Sequence, residues 1–301
     1  MRRYTLFAVL MIAAMLLGAC AQTPAATKAP EATKAPEVAK TAEPAKGSTS
    51  GSVSITMAGS TTVQPLAEKL AGAYMAAHSN VKVVVTGGGS GVGVKSAADG
   101  TAQIGMASRE MKDEEKTANP NLKAIVIARD GIAIIVNSAV KVDDITKEQA
   151  QQIFMGKITN WKELGGDDQP IILVSREEGS GTRTAFQEMV MGKDKEGKEN
   201  LISDTAILQS SNGAILTTVS STPNSVGYLS MGYVDSTVKA LKMNGVEATE
   251  ENAANGKYPV VRPLNLLTNG EPSGDVKAFI DWILSEEGQK MVKADGYIAA
   301  K

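Results

Sequence analysis

The spacing of apolar residues changes period along the chain, and most changes fall at clusters of Gly, Ser and Thr. Val53-Ser54-Ile55-Thr56-Met57 alternates like a short strand, and Val81 to Val85 is a β-branched run of the same kind. Thr101 to Ala107, Pro170 to Val174 and Ser225 to Ser230 read as further strands. Leu122 to Ile127 and Ile132 to Val136 read as two consecutive strands around Ala128-Arg129-Asp130-Gly131. Val238 to Met243 and Val260 to Leu267 read as two more, around a polar excursion. Helical spacing appears between these runs. Leu66, Leu70, Ala73 and Tyr74 form one apolar face behind Gln64-Pro65, and Phe186, Met189 and Val190 form another. Thr146-Lys147-Glu148-Gln149 has the capping-box pattern and opens a helix through Phe154. A compact turn anchored by Trp161 follows. Ile215 to Ser220 reads as a helix, and Val276, Phe279, Ile280, Ile283 and Leu284 give a 3-4-3-4 face behind a Ser273 cap.

Strand, small-residue loop and helix thus recur at residues 55–66, 81–98 and 170–190, with a weaker fourth unit at 206–220. That order predicts an α/β fold with its ligand beyond the strand ends.

The first 52 residues do not fit this pattern. Arg2 and Arg3 precede an apolar run, Leu6 to Leu17, of signal-peptide length and too short for a typical membrane span. The run ends in Leu17-Gly18-Ala19-Cys20, which resembles a bacterial lipobox with Cys20 as the lipidated residue. Residues 1–19 are then a leader. Residues 20–52 repeat Ala-Thr-Lys-Ala-Pro-Glu and end in Gly and Ser, too polar to bury a core. They read as an extended stalk between lipid and domain.

Composition removes several function classes. The formal charge is −2 and aromatics make up 4% of the chain, which argues against nucleic acid as a partner. One Cys and one His rule out a Cys/His zinc site and an internal disulfide. No cofactor is expected. His78, near a helix end, reads as a solvated terminal residue.

The loop Ser175-Arg176-Glu177-Glu178-Gly179-Ser180-Gly181-Thr182-Arg183 joins an apolar strand to a helix. A helix mouth offers free N–H groups and a positive dipole end; hydroxyls and a forked cation complete an oxyanion site. Taken alone, the string also fits an ordinary capped helix with a surface Arg. Thr86-Gly87-Gly88-Gly89-Ser90-Gly91-Val92-Gly93 is a second such loop. It misses the phosphate-binding P-loop, because Val94 stands between Gly93 and Lys95, and it misses Gly-x-Ser-x-Gly at Val92. A hydrolase using Ser180 lacks a base, so the chain is not read as an enzyme.

Five motifs recur in order: Ala58-Gly-Ser-Thr-Thr62, Gly87-Gly-Gly-Ser-Gly91, Ile104-Gly-Met-Ala-Ser-Arg109, Ile153-Phe-Met-Gly-Lys-Ile-Thr-Asn-Trp161 and Arg176-Glu-Glu-Gly-Ser-Gly-Thr182. Together they resemble the periplasmic phosphate-binding proteins of the high-affinity phosphate ABC importer, across residues 53–301. The resemblance implies a two-lobed type II periplasmic-binding fold with phosphate in the interlobe cleft, a monomer that works with membrane permease subunits. Residues 53–135 with 240–301 are expected as lobe I, and 136–239 as lobe II. Ser60, Thr61, Thr62, Ser90, Ser108, Arg109, Arg176, Ser180, Gly181 and Thr182 are the implied phosphate contacts. Glu178 sits where relatives carry an acid paired to the Arg at 176. Some relatives place a proton-accepting Asp after the third strand, where this chain has Ser108-Arg109-Glu110. Either Glu110 supplies the acceptor or Arg109 reshapes the charge, and Arg109 as a structural salt-bridge partner stands equal to both. Tungstate, molybdate or sulfate remain alternative ligands, and phosphate sensing an alternative role.

Overall fold

The computed structural model describes residues 52–300. The leader, Cys20 and the repeats lie outside the described residues. Strand β1 (Val53–Gly59) runs through Ser60, Thr61 and Thr62 into helix α1 (Val63–Ala77). Pro65 lies in the first turn, where its missing N–H breaks no helical bond. Strand β2 (Val81–Thr86) passes three glycines into α2 (Ser90–Asp99). Strand β3 (Ile104–Ala107) ends at Ser108 and Arg109, ahead of the short α3 (Asp113–Ala118).

Next comes β4 (Leu122–Asn137), one strand of 16 residues where two were expected. The polar Arg129-Asp130 step does not break it, because the partner strand satisfies it: Asp130 lies opposite Arg262 and Arg129 opposite Pro263. After β5 (Asp144–Ile145) comes α4 (Lys147–Phe154), whose capping box forms as expected, with Gln149 N–H donating to Thr146 Oγ1 at 3.1 Å. Strand β6 (Ile172–Arg176) leads to α5 (Gly181–Phe186), which continues into a π-helical turn. Strand β7 (Ile207–Gln209) leads to α6 (Asn212–Ser221), so the weak fourth unit is real, and β8 (Ser225–Ser230) follows. The expected strand at 238–243 splits at Leu241 into β9 (Val238–Ala240), which pairs with β4, and β10 (Lys242–Met243), which pairs with β5. The chain ends with α7 (Glu250–Ala254), β11 (Val261–Asn269), α8 (Gly274–Ile283), α9 (Glu286–Ala294) and β12 (Ile298–Ala299).

The main sheet has the order β2-β1-β3-β11-β4-β8-β6-β7. Both ends are parallel, and the centre, where β11 meets β3 and β4 and β4 meets β8, is antiparallel. Two large cores lie along it. One gathers Ile55, Leu66, Leu70, Ile104, Ile127, Leu264, Phe279 and Ile283. The other gathers Ile134, Phe154, Trp161, Phe186, Tyr228, Tyr258 and Val260. The division falls inside β4, between Ala128 and Ile132, and again between Val260 and Leu264. Residues 240–260, expected with the first lobe, pack into the second core through Leu241, Met243, Tyr258 and Val260. The cause is β4: its outer half carries Ile132 and Ile134, and the chain after Leu241 packs on that half.

Helix α2 lies directly on β1 and β3, so Ser90 is held close to Ser108. A Cβ on Gly93 would sit 2.2 Å from the Met106 carbonyl oxygen, and a Cβ on Gly105 2.2 Å from the Gly93 oxygen. Gly93→Ala should therefore push the helix off the sheet and cost about 2 kcal/mol. A lowered denaturant midpoint at unchanged slope is the expected result.

Candidate anion-binding site

The strand ends bring five polar segments together. Residues 60–62, 90 and 108 come from the first three units, 176–182 from the loop after β6, and Asn212 from the start of α6. Ser60, Thr61, Thr62, Ser90, Ser108, Arg176, Ser180 and Thr182 are all buried. A Cβ on Gly181 would lie 2.1 Å from Ser90 Oγ and 2.7 Å from Ser108 Oγ, so only glycine allows the α5 mouth this close to the two serines. The Gly91 N–H donates to the Gly179 carbonyl at 3.0 Å and ties the two glycine loops together.

Arg176 is 1% exposed and sits at the end of β6. Its Nε and Nη2 donate to the Glu177 carboxylate at 2.8 and 2.9 Å. Its Nη2 also reaches Thr61 Oγ1 at 3.3 Å. Its Nη1 has no acceptor among the described residues. A buried guanidinium N–H without an acceptor is costly, and an oxyanion at this position relieves it. The acid that pairs with Arg176 is Glu177; Glu178, expected in that role, is exposed. Glu177, as the immediate chain neighbour, brings its carboxylate edge-on to the guanidinium without bending the loop.

Arg109 is buried and is engaged by an acid of the following helix. Its two terminal nitrogens form a fork with Glu115, both at 2.7 Å, and Nη1 also donates to the Glu110 carbonyl. The salt bridge is thus formed, and Arg109 Nε is left without an acceptor among the described residues. Glu110 is exposed and contributes its backbone oxygen, not its carboxylate, to this arrangement. Ser60 and Ser180 are divided between two roles. Ser60 Oγ accepts from the N–H groups of Thr62 and Val63, and Ser180 Oγ from that of Arg183. Both cap helices and keep one O–H proton. Ser180 makes no bond to an imidazole; His78 bonds the Tyr74 carbonyl and stacks on its ring at 4.0 Å. Among the described residues no group of three His, Cys, Asp or Glu is placed to hold a metal.

Three residues the motifs did not single out complete the site. Arg262, 2% exposed, reaches across from β11 and donates to Thr182 Oγ1 at 2.8 Å, Thr62 Oγ1 at 3.1 Å and Ser108 Oγ at 3.3 Å. Asp130 holds it by accepting from Nε at 3.2 Å and Nη2 at 2.8 Å. Burial pushes the Asp130 carboxyl up from the ordinary range, while the charge and hydrogen bonds of Arg262 and the Ser230 hydroxyl pull against that. Asn212 donates to Thr62 Oγ1 at 2.9 Å and Thr61 Oγ1 at 3.3 Å. The only sequence signal for Arg262 is a charge inside an apolar run; Asp130 sits in a stretch that reads as a turn.

The described chain is similar to known proteins in sequence and in fold. A family model for a PBP superfamily domain matches residues 32–287. The phosphate-binding protein PstS of Bacillus subtilis is 36% identical over 254 residues, covering 84% of this chain and 82% of that protein. PstS of Borreliella burgdorferi is 30% identical over 253 residues, covering 82% and 90%. The chain belongs to the PstS family of the PBP superfamily. Among solved structures, a Clostridium perfringens substrate-binding protein crystallised with bound phosphate superposes with a TM-score of 0.77 at 44% identity, covering 82% of this chain and all of that one. An ABC-type phosphate transport receptor from Vibrio cholerae gives 0.67 at 37% identity, covering 81% and 99%. The expected periplasmic-binding fold is therefore the observed one.

The Arg109–Glu115 fork makes a stability prediction for this PstS-family chain. Burial raises the Glu115 carboxyl, but the Arg109 hydrogen bond, the Lys112 N–H and both cations outweigh it and hold the group below its ordinary value. A depressed carboxylate adds stability above the unfolded-state range and loses it as pH falls through the folded value. Glu115→Gln should cost about 2 kcal/mol in chemical unfolding at neutral pH. The difference from wild type should close in acid, below the carboxylate range.

Proposed function

We propose that this protein captures inorganic phosphate outside the cytoplasm and hands it to an ABC import permease. The observation that carries the reading is the buried Nη1 of Arg176, without an acceptor among the described residues, on a guanidinium whose Nη2 reaches Thr61 Oγ1. Its relatives are named for phosphate binding and phosphate transport, and the donor set here suits that anion. Arg176 supplies the charge. Thr61, Thr182 and Ser90 supply hydroxyls, and the mouths of α2 and α5 supply N–H groups.

The two cores meet where β4 and β11 cross, and a hinge there would let the lobes open and close over the ion. Export and tethering rest on the leader and Cys20 of the sequence. A lipid on Cys20 and a polar stalk would keep the receptor at the outer face of the membrane, within reach of its permease. Delivery needs no chemistry, which agrees with Ser180 serving as a helix cap.

Calorimetry on the protein truncated before the folded domain should show submicromolar phosphate binding. Absence of any phosphate heat would overturn the reading. Arg176→Ala should weaken binding at least roughly 30-fold, because a charge-assisted pair is lost. Near-wild-type affinity would move the site elsewhere. Tungstate and molybdate, titrated alongside, test the other-oxyanion reading.

A further inference from the structure

Two hydrogen bonds between the cores end on backbone oxygens and so occupy no hydroxyl of the loops. One joins the glycine loops, with the Gly91 N–H donating to the Gly179 carbonyl at 3.0 Å. The other is made by Tyr233, whose O–H donates to the Thr61 carbonyl at 2.7 Å. Tyr233 ends a short turn, Met231–Tyr233, that follows β8. It packs on the apolar cluster that gathers Val174, Ile215, Val219 and Leu229, from β6, α6 and β8. Thr61 joins β1 to α1, both elements of the first core. The turn lies against that core at a second point, since a Cβ on Gly232 would sit 3.1 Å from Cζ of Tyr297.

The sequence leaves the Thr61 oxygen open for this bond. Along a helix each carbonyl accepts from the N–H four residues on, and the Gln64 N–H reaches the Ser60 carbonyl in this way at 3.0 Å. For Thr61 the residue four places on is Pro65, which has no N–H to give. The Tyr233 hydroxyl takes the position instead. Burial pushes that hydroxyl up to about 12, so at neutral pH it keeps its proton and donates. Held through its carbonyl, Thr61 keeps its own hydroxyl 3.3 Å from Arg176 Nη2.

We infer that Tyr233 is a positioning residue for anion retention: its hydroxyl ties the loop before α1 to the second core and so holds the two lobes shut over the site. The inference rests on the anion site proposed above. The bond takes no part in capture, so it leaves the rate of entry alone. It breaks before the lobes part, so it slows release. Gly91 offers a readout that needs no ligand. It stands in the first turn of α2, where its N–H has no partner within the helix, and its contact with Gly179 is what slows its exchange with solvent.

The test is Tyr233→Phe in the full chain, which removes one O–H and keeps the ring. Stopped-flow mixing with inorganic phosphate should show release about fivefold faster, with association changed by less than about twofold. Amide exchange at Gly91 should quicken by a similar factor. Unchanged release in a variant that binds phosphate would overturn the inference and leave phosphate binding intact. Slower association at unchanged release would place Tyr233 on the entry path and overturn it as well. If the wild-type protein binds no phosphate, the phosphate reading falls and Gly91 exchange decides alone. Faster exchange in the variant then keeps the inference, and equal exchange in the two proteins overturns it.

Discussion

Two guanidinium groups are buried where the strand ends meet, and most of the polar architecture around them follows from that. Taking a cation out of water costs several kcal/mol unless a counter-charge and hydrogen bonds replace the solvent. Arg176 finds its counter-charge next door in the chain, at Glu177. Arg262 finds it across a strand pair, at Asp130, its register partner in β4. Other N–H groups of the two reach Thr61, Thr62, Ser108 and Thr182, while Nη1 of Arg176 has no acceptor among the described residues. The loops cannot move independently of these bonds, so satisfying the cations also sets the shape of the candidate anion site.

The helix mouths give the same hydroxyls a second duty. Ser60, Ser180 and Ser211 each accept from backbone N–H groups at the starts of α1, α5 and α6. A capping hydroxyl keeps its proton free, so one side chain can stabilise a helix and still donate to a ligand. This divided role suits a serine that donates to a ligand. Glycine completes the arrangement at positions 93 and 181, where any side chain would meet backbone or the Ser90 and Ser108 hydroxyls.

The Arg262–Asp130 pair sits where the chain passes from one hydrophobic core to the other. Arg262 bonds Thr62 and Ser108, which follow strands of the first core, and Thr182, on the helix after β6 in the second. One side chain therefore links the crossing strands to the contact surfaces on both sides. The donors of this buried pair order groups that lie far apart in the chain.

The sequence by itself determined the units and their chemistry. Strand, small-residue loop and helix are short-range patterns, written in apolar period, Gly position and capping residues, and Ser60 to Thr62, Ser90, Arg176 and Ser180 to Thr182 were legible because each sits on one such unit. The strand through 122–137 was not, since Arg129 and Asp130 read as a break until Arg262 stands opposite them. The partners of two arginines were decided in the same way. Glu177 rather than Glu178 faces Arg176, and Glu115 rather than Glu110 faces Arg109. Local pattern fixes which groups a loop presents. Which of them face each other across about 130 residues, as Asp130 and Arg262 do, is set by strand register, and only the folded sheet holds that information.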